Sequence, residues 1–463
     1  MSESRAHDRS AHPIHRRTLL KAAGGATALA GLEGILAVRR APAHAQGTEI
    51  KVLQWVDFIP EGDVELRRQY AEYSEQSKVK VTLETINAND LQARITAAIQ
   101  SGSGPDVIMM LHNWPHLYQN GLADVSDLCE WKAKEQGGYY SHSQAAAQEG
   151  KKWLALPYST GGSLIAYRRS WFAEAGASQA PRTLEEYRKI GMALKKKGKP
   201  IGQTLGHTFG DAPTWTYPIM WTFGGTEVDQ SGKKVVINSK GTPEAVKWMV
   251  SFWKDACDEG ALAWDDTNNN RAFHANEVAA TLNGASIFIF AKRNPDKVKN
   301  EAGQPMWSDI SHFAIPEGPN GPTPPYFVPF SHGLMKYSKN QKAAKDFLKW
   351  LHGKDQFGKW FAIENGYSVG ATTMWENHPM WSTVDDALKP FRVAARGSRM
   401  IGFAGPSNAK ATEVYSKYII TDIFAKAVQG MSPEDAVKWG ESELKKVYEG
   451  LTGARRRRPA RAV

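Results

Sequence analysis

The chain has 463 residues, 41% hydrophobic and 23% charged, with 41 Gly and 24 Pro, enough at about 150 residues per domain for two to four domains with a substantial core, which excludes wholesale disorder. No stretch reaches the roughly 18 uncharged apolar residues of a membrane span, excluding a polytopic membrane protein. Two cysteines, Cys129 and Cys257, supply neither a disulfide scaffold nor a Cys-rich zinc or iron–sulfur centre.

The net charge of +10 sits at the ends of the chain. Residues 1–45 carry an excess of four basic residues and the tail Arg455 to Arg461 adds five arginines, leaving the body near neutral. Such a body has no long-range field for phosphate backbones, so nucleic acid is not expected as a partner. The tail, 453–463, is expected to be a solvated, disordered end.

In chain order, His15-Arg16-Arg17-Thr18-Leu19-Leu20-Lys21 precedes an Ala/Gly/Leu run, the pair Arg39-Arg40 and the small-x-small site Ala43-His44-Ala45. This layout resembles a twin-arginine export signal, with a mature chain from about Gln46 in the periplasm. From Glu49 the pattern alternates strand and helix. Ile50 and Val52 alternate with polar neighbours, Leu66, Tyr70 and Tyr73 recur at helical spacing, and Val79, Val81 and Leu83 alternate again. Leu91, Ile95, Ala98 and Ile99 then line a second helix, and Val107 to Leu111 read as a buried strand. Such β-α-β-α-β succession predicts a mainly parallel sheet covered by helices. Downstream, Thr183-Leu-Glu-Glu186 and Ser338-Lys-Asn-Gln341 read as capping boxes, and Thr242-Pro243 and Ser432-Pro433 as helix starts. The stretch 316–325 is a polar, turn-rich loop.

Catalytic signatures are scarce. There is no His-Glu-x-x-His, Gly-x-Ser-x-Gly, Walker loop or complete Gly-x-Gly-x-x-Gly. The pairs Asp265-Asp266 and Asp385-Asp386 read as solvated turns. The 16 Trp stand out, all after residue 45. Trp55, Trp114, Trp215 and Trp375 lie beside Gly, Pro, Asn or His at positions read as loops. A Trp there either caps the edge of the core or stacks on the C–H face of a sugar ring while Asp, Asn, His and Arg bind its hydroxyls. Trp248, Trp253 and Trp350 sit on helical faces and belong to the core.

Several segments in fixed order then carry a family resemblance: Ser101-Gly-Ser-Gly-Pro-Asp-Val107, Leu154-Ala-Leu-Pro157, Pro181-Arg-Thr-Leu-Glu-Glu-Tyr187, Phe223-Gly-Gly225, Val236-Ile-Asn-Ser239, Phe330-Ser-His-Gly-Leu334 and Gly430-Met-Ser-Pro-Glu-Asp-Ala436. Together they resemble the carbohydrate-type family 1 of extracellular solute-binding proteins of ATP-driven (ABC) importers, over about 48–450. Two departures stand out. Members often carry Gly-x-Trp where this chain has Asn283-Gly284-Ala285, which puts a sugar platform there in question, and Glu277 stands where many have lysine.

The resemblance implies an α/β, two-lobed class II periplasmic-binding-protein fold with mainly parallel sheets and three interlobe crossings. Lobe one is expected over 46–157 plus 281–333 and lobe two over 158–280 plus 334–452. A sugar or small oligosaccharide is expected in the cleft between them, for delivery to the membrane permease and its cytoplasmic ATPase. The protein is expected to be a monomer that is not an enzyme and holds neither metal nor cofactor. The rival readings are a polyamine, polyol or glycerol phosphodiester as solute, or a periplasmic enzyme. The ligand positions carried over are Trp55, Asp57, His112, Asn113 and Trp114 from lobe one, and Tyr158, Thr160 and Gly161 after the first crossing. Trp215 comes from lobe two, Asn283 and Gly284 from the second crossing, and Ser331, His332 and Gly333 from the third, with Trp375 and Arg399 outside these. Stacking is assigned to Trp55, Trp114 and Trp215, and hydroxyl contacts to Asp57, Asn113, Asn283 and His332. Cys129 and Cys257 fall in different lobes and are expected to be free thiols.

Overall fold

A computed structural model describes residues 47–450. The expected export signal, 1–45, and the basic tail, 453–463, lie outside the described residues.

The alternating pattern after Glu49 becomes β1 (Glu49–Trp55), β2 (Lys80–Ile86) and β3 (Val107–Leu111), joined by helices Pro60–Ser77 and Leu91–Ser101. The first helix starts with Pro at its N-terminus and acidic Glu61 and Asp63 in the first turn, where the missing amide and the dipole favour them. It stops at Lys78, which adopts a left-handed conformation. The three strands pair in parallel with β1 in the middle, Val52 standing opposite both Leu83 and Val107. β3 is apolar and buried throughout, as a strand covered on both faces must be.

The next strands are β4 (Leu156–Gly161), β5 (Leu164–Arg168), β6 (Ala280–Asn283), β7 (Ile310–Phe313), β8 (Val328–Leu334) and β9 (Ser368–Gly370). A six-stranded sheet has the order β9-β4-β8-β3-β1-β2, and a three-stranded sheet the order β6-β5-β7. Among the named strands, parallel pairing is confined to β1, β2 and β3, with an isolated parallel bridge from Ile201 to Ala280 at the start of β6. β8 runs antiparallel to β3 and β4, β9 antiparallel to β4, and the small sheet is antiparallel throughout. β1, β2 and β3 are linked by helical crossovers between adjacent parallel strands, and β8 and β9, which point the same way on either side of β4, by helices Gln341–Leu351 and Lys354–Glu364. β8 re-enters the large sheet from the small one and so points the other way.

Two hydrophobic cores accompany the two sheets, and the fold is α/β and two-lobed. One is built on β1, β3 and helix Pro60–Ser77, the other on helices Leu184–Lys196, Asp211–Thr222, Gly241–Ala256, Ile419–Val428 and Pro433–Tyr448. The chain passes between the sheets at 161–164 and 313–328, and after Ala395 it leaves the first core for the helices of the second. Helix Ser286–Arg293 packs on the first core. Packing thus differs from the division anticipated from the chain. Residues 158–161 extend the large sheet, and 341–370 supply two helices and β9 to it, because Phe347, Phe357 and Phe361 bury against the first core.

The caps explain where helices begin. Thr183 accepts from the Glu186 amide (3.2 Å) and Glu186 accepts from the Thr183 amide (3.3 Å), a closed capping box. Ser432 caps the last helix with Pro433 behind it. Ser338 does otherwise. Its hydroxyl donates to the Asp106 carboxylate (2.6 Å) and the helix starts at Gln341. Thr242 lies inside a helix that starts at Gly241. Cys129 and Cys257 are buried free thiols, one in each core. No helix among the described residues is long and apolar enough to cross a membrane.

Candidate ligand-binding cleft

Two cavities meet where β1 and β4 end and the second core begins. The inner one, about 50 Å3, is lined by aromatic residues of the first core, among them Trp55, Phe209 and Tyr367, and by Gly161, Asn283 and Asp211, the last at the start of a helix that packs in the second core. The outer one, about 350 Å3, is lined by Val56, Asp57, Asn87, Asn89, Asp265 and Thr267. Phe58, Phe209 and Asp266 line both, so the two form one site. It lies at strand carboxyl ends, where open α/β sheets bind ligands.

Trp55 is the last residue of β1, and its ring meets Phe330, Phe209 and Phe58 edge-on at 4.8, 5.5 and 5.8 Å. Phe58 also lies 5.8 Å from Tyr367. Five aromatic rings thus surround the inner cavity. Gly161 and Gly162 pass beside it, and a Cβ on Gly162 would fall 1.6 Å from the Phe327 ring, so glycine is required by this close approach.

The polar groups face these rings. Asp57, buried at the start of the loop after β1, accepts from the Ile59 amide (2.9 Å). Burial pushes its carboxyl up to about 7, against that hydrogen bond, with the charge of Asp63 adding to the rise. Across the cleft, Asp266 accepts from the amides of Gly210 (3.2 Å) and Asp211 (2.7 Å) at the start of helix Asp211–Thr222. Burial pushes it up to about 6 despite these amides. Asp211 accepts from Asn269 (2.7 Å) and is held well above the usual carboxylate range by burial and then by the charge of Asp266. Asn283 donates to Asn270 (2.5 Å) and accepts from Ser286 (3.2 Å), which orients its amide at the cavity wall.

An acid whose folded-state pKa is raised favours folding least where it must ionise. Asp57 therefore withdraws stability as pH rises from about 4 through about 7. Asp57→Asn is expected to melt near the parent at pH 4 and above it at pH 8. Parallel melting curves at the two pH values check this, and equal differences at both would overturn it.

Of the ligand positions read from sequence, Trp55, Asp57, Gly161, Asn283 and Gly284 line the site. His112 stands just behind it, buried and in a left-handed conformation (φ 52°). Its Nε2 donates to the Phe209 carbonyl (2.7 Å) and its Nδ1 accepts from the Tyr326 hydroxyl (2.5 Å). A carbonyl only accepts, so Nε2 carries the proton, and burial keeps the ring neutral by lowering its pKa to about 3. His112 thus ties the end of β3 to the loop that carries Phe209. Asn113 makes a similar tie to Ser407 (2.9 Å).

The remaining positions are corrected by their packing. Trp215 is fully buried in the second core between Trp248 and Phe252, its indole donating to Met249 Sδ (3.4 Å), so it offers no face to a ligand. The whole of helix Asp211–Thr222 is buried and lacks the two-sided pattern that reveals a helix, which is why Trp215 reads as a loop residue. Trp114 is buried beside His112. Trp375 is buried against Phe357 and donates to Gln136 (3.0 Å). Arg399 covers the Phe403 ring at 4.0 Å.

Thr160 donates to the Val328 carbonyl (3.1 Å) inside the sheet. Ser331 and Gly333 are buried in β8. Tyr158 stacks on His332 at 4.5 Å beside a separate cavity of about 20 Å3. His332 belongs to a buried chain in which Lys132 donates to the Pro157 carbonyl (2.8 Å) and to His352 (3.1 Å), His352 meets His332 (2.8 Å), and His332 meets Gln54 (2.7 Å). These are supports of the first core rather than cleft walls.

Phe58, Phe209, Asp211, Asp266 and Tyr367 are the cleft residues that the sequence reading passes over. Asp266 is 5% exposed, not a solvated turn. Asp385 is one, paired with Lys292 at the surface. Among the described residues no group of three or more His, Cys, Asp or Glu is placed to hold a metal.

Two α/β lobes with a polar and aromatic site between them define a solute-binding fold. The family model described as "Bacterial extracellular solute-binding protein" matches residues 62–356, and the chain belongs to that family. It is 25% identical over 366 residues to a "Probable ABC transporter-binding protein" of Deinococcus radiodurans, covering 74% of this chain and 80% of that one. It is 26% identical over 387 residues to the "Diacetylchitobiose binding protein DasA" of Streptomyces coelicolor, covering 81% and 84%. Among solved structures, a sugar transporter from Arthrobacter chlorophenolicus A6 with bound laminaribiose superposes with a TM-score of 0.73 at 17% identity, covering 86% of this chain and 99% of that one.

Proposed function

We propose that this protein is the periplasmic solute-binding subunit of an ATP-driven importer, taking a sugar or small oligosaccharide in the interlobe cleft. The observation that carries the reading is the aromatic enclosure of Trp55, Phe58, Phe209, Phe330 and Tyr367, all packed with the first core, facing Asp211 and Thr214 at the start of helix Asp211–Thr222, whose later turns pack in the second core. Flat rings accept the C–H faces of a sugar while Asp57, Asp211, Asp266 and Asn283 take its hydroxyls. On this reading, lobe one is 48–161, 285–310 and 327–395, and lobe two is 164–282, 313–326 and 400–448. A solute touching both lobes favours the closed form by its differential affinity, and the closed form docks on the membrane permease with its cytoplasmic ATPase. The protein breaks no bond, acts as a monomer and is exported by the twin-arginine route.

The test is a thermal-shift screen of the purified protein against mono- and disaccharides, polyols, polyamines and organic phosphates. A solute at 100 times its Kd adds about 2.7 kcal/mol of stability. At least one saccharide is expected to raise the melting temperature by several degrees. A panel in which no saccharide does so would overturn the reading.

A further inference from the structure

Every charged residue that lines the cleft is acidic. Asp57, Asp211, Asp265 and Asp266 contribute to the two joined cavities, and no Lys, Arg or His does. Asp57, Asp211 and Asp266 are each more than nine-tenths buried, and none is paired with a cation among the described residues. Their hydrogen bonds come from backbone amides and from Asn269. Asp211 accepts at one oxygen only. Its Oδ1 has no donor within reach among the described residues and belongs to a side chain on the wall of the inner cavity.

Burial holds these acids toward their protonated forms, so a neutral solute gains only hydrogen bonds from them, whereas an ammonium placed against them favours their ionised form and gains an ion pair. The aromatic enclosure points the same way, since the negative faces of Trp55, Phe58 and Phe209 attract a cation as well as C–H groups. Tyr367, on the wall of the inner cavity, has its hydroxyl pKa raised by burial and then by the charges of Asp57, Glu364, Asp211 and Asp266.

We propose that the solute held in this cleft carries a protonated amine on a hydroxylated frame, an amino sugar or its short oligomer, with the amine between Asp211 and Asp266 and the aromatic rings. The inference rests on the saccharide-binding reading above and narrows it. Among hydroxylated solutes the site then selects by charge, and the free amine is the feature that an N-acetylated or plain sugar lacks.

Titration calorimetry of the full chain at pH 7 and low ionic strength compares D-glucosamine and its β-1,4 dimer with glucose, cellobiose and the two N-acetylated counterparts. The amine-bearing sugars are expected to bind about tenfold more tightly than their neutral counterparts. In Asp211→Asn, which keeps an acceptor for Asn269, that preference is expected to fall below about twofold. Asp57→Asn, on the opposite wall, provides a second variant with the same expected direction should the first fold poorly. Equal affinity for amine-bearing and neutral sugars, or a preference untouched in both variants, overturns this inference and leaves the saccharide reading standing. Absence of binding by every sugar, aminated or not, overturns both.

Discussion

Phe58→Ala is expected to weaken binding of the tightest saccharide in the screen by about 2 kcal/mol, roughly thirtyfold in Kd. Phe58 is half-buried, stands at the junction of the two cavities, meets Trp55 edge-to-face and lies tilted against Tyr367. Removing its ring opens the inner cavity to the outer one and deletes a contact face, while a residue already partly in water gives up little folding free energy. The loss should therefore appear in titration calorimetry and hardly at all in the unliganded melting temperature. Phe58→Tyr restores the face and should restore most of the affinity. An unchanged Kd in Phe58→Ala would remove this ring, and the junction it guards, from the binding site.

Trp215→Ala has the opposite signature. The indole is 0% exposed among Trp248, Met249 and Phe252, and truncating a buried Trp to Ala costs about 3–5 kcal/mol through lost transfer energy and the cavity left behind. Urea unfolding of the unliganded protein should show this loss, whereas the saccharide Kd measured well below the transition should stay within about twofold. A large loss of affinity with unchanged stability would make Trp215 a stacking platform after all and would require the loop 209–211 to be rearranged around it.

What the sequence discloses follows the reach of local patterns. The succession β1, β2, β3 with its two helices is readable because each element is amphipathic or uniformly apolar over its own length, and the Thr183 and Ser432 caps because both partners lie within three residues. Trp55 and Asp57 are legible because one ends and the other closely follows a recognisable strand. The opposite wall is hidden. Asp211 and Asp266 are 55 residues apart and meet only through the amides of one helix start. Tyr367 reaches the cleft from the position just before β9, the strand that joins the large sheet last in the chain. The direction of β8, and with it the mixed character of that sheet, depends on a long return from the small sheet that no period in the chain records. His332 illustrates the reverse error. A polar residue in a strand near a crossing invites a ligand role, yet its partners Gln54 and His352 are 278 and 20 residues away and wholly internal.

The two thiols allow the halves of the molecule to be told apart in solution. Cys129 and Cys257 are buried in separate cores, and burial holds each thiol well above its ordinary pKa, so neither reacts while its own core stays shut. Each core thus carries its own chemical clock. The modification rate of one cysteine reports the opening of one half without reference to the other, and bound solute, by bracing both walls of the cleft, is expected to slow both clocks.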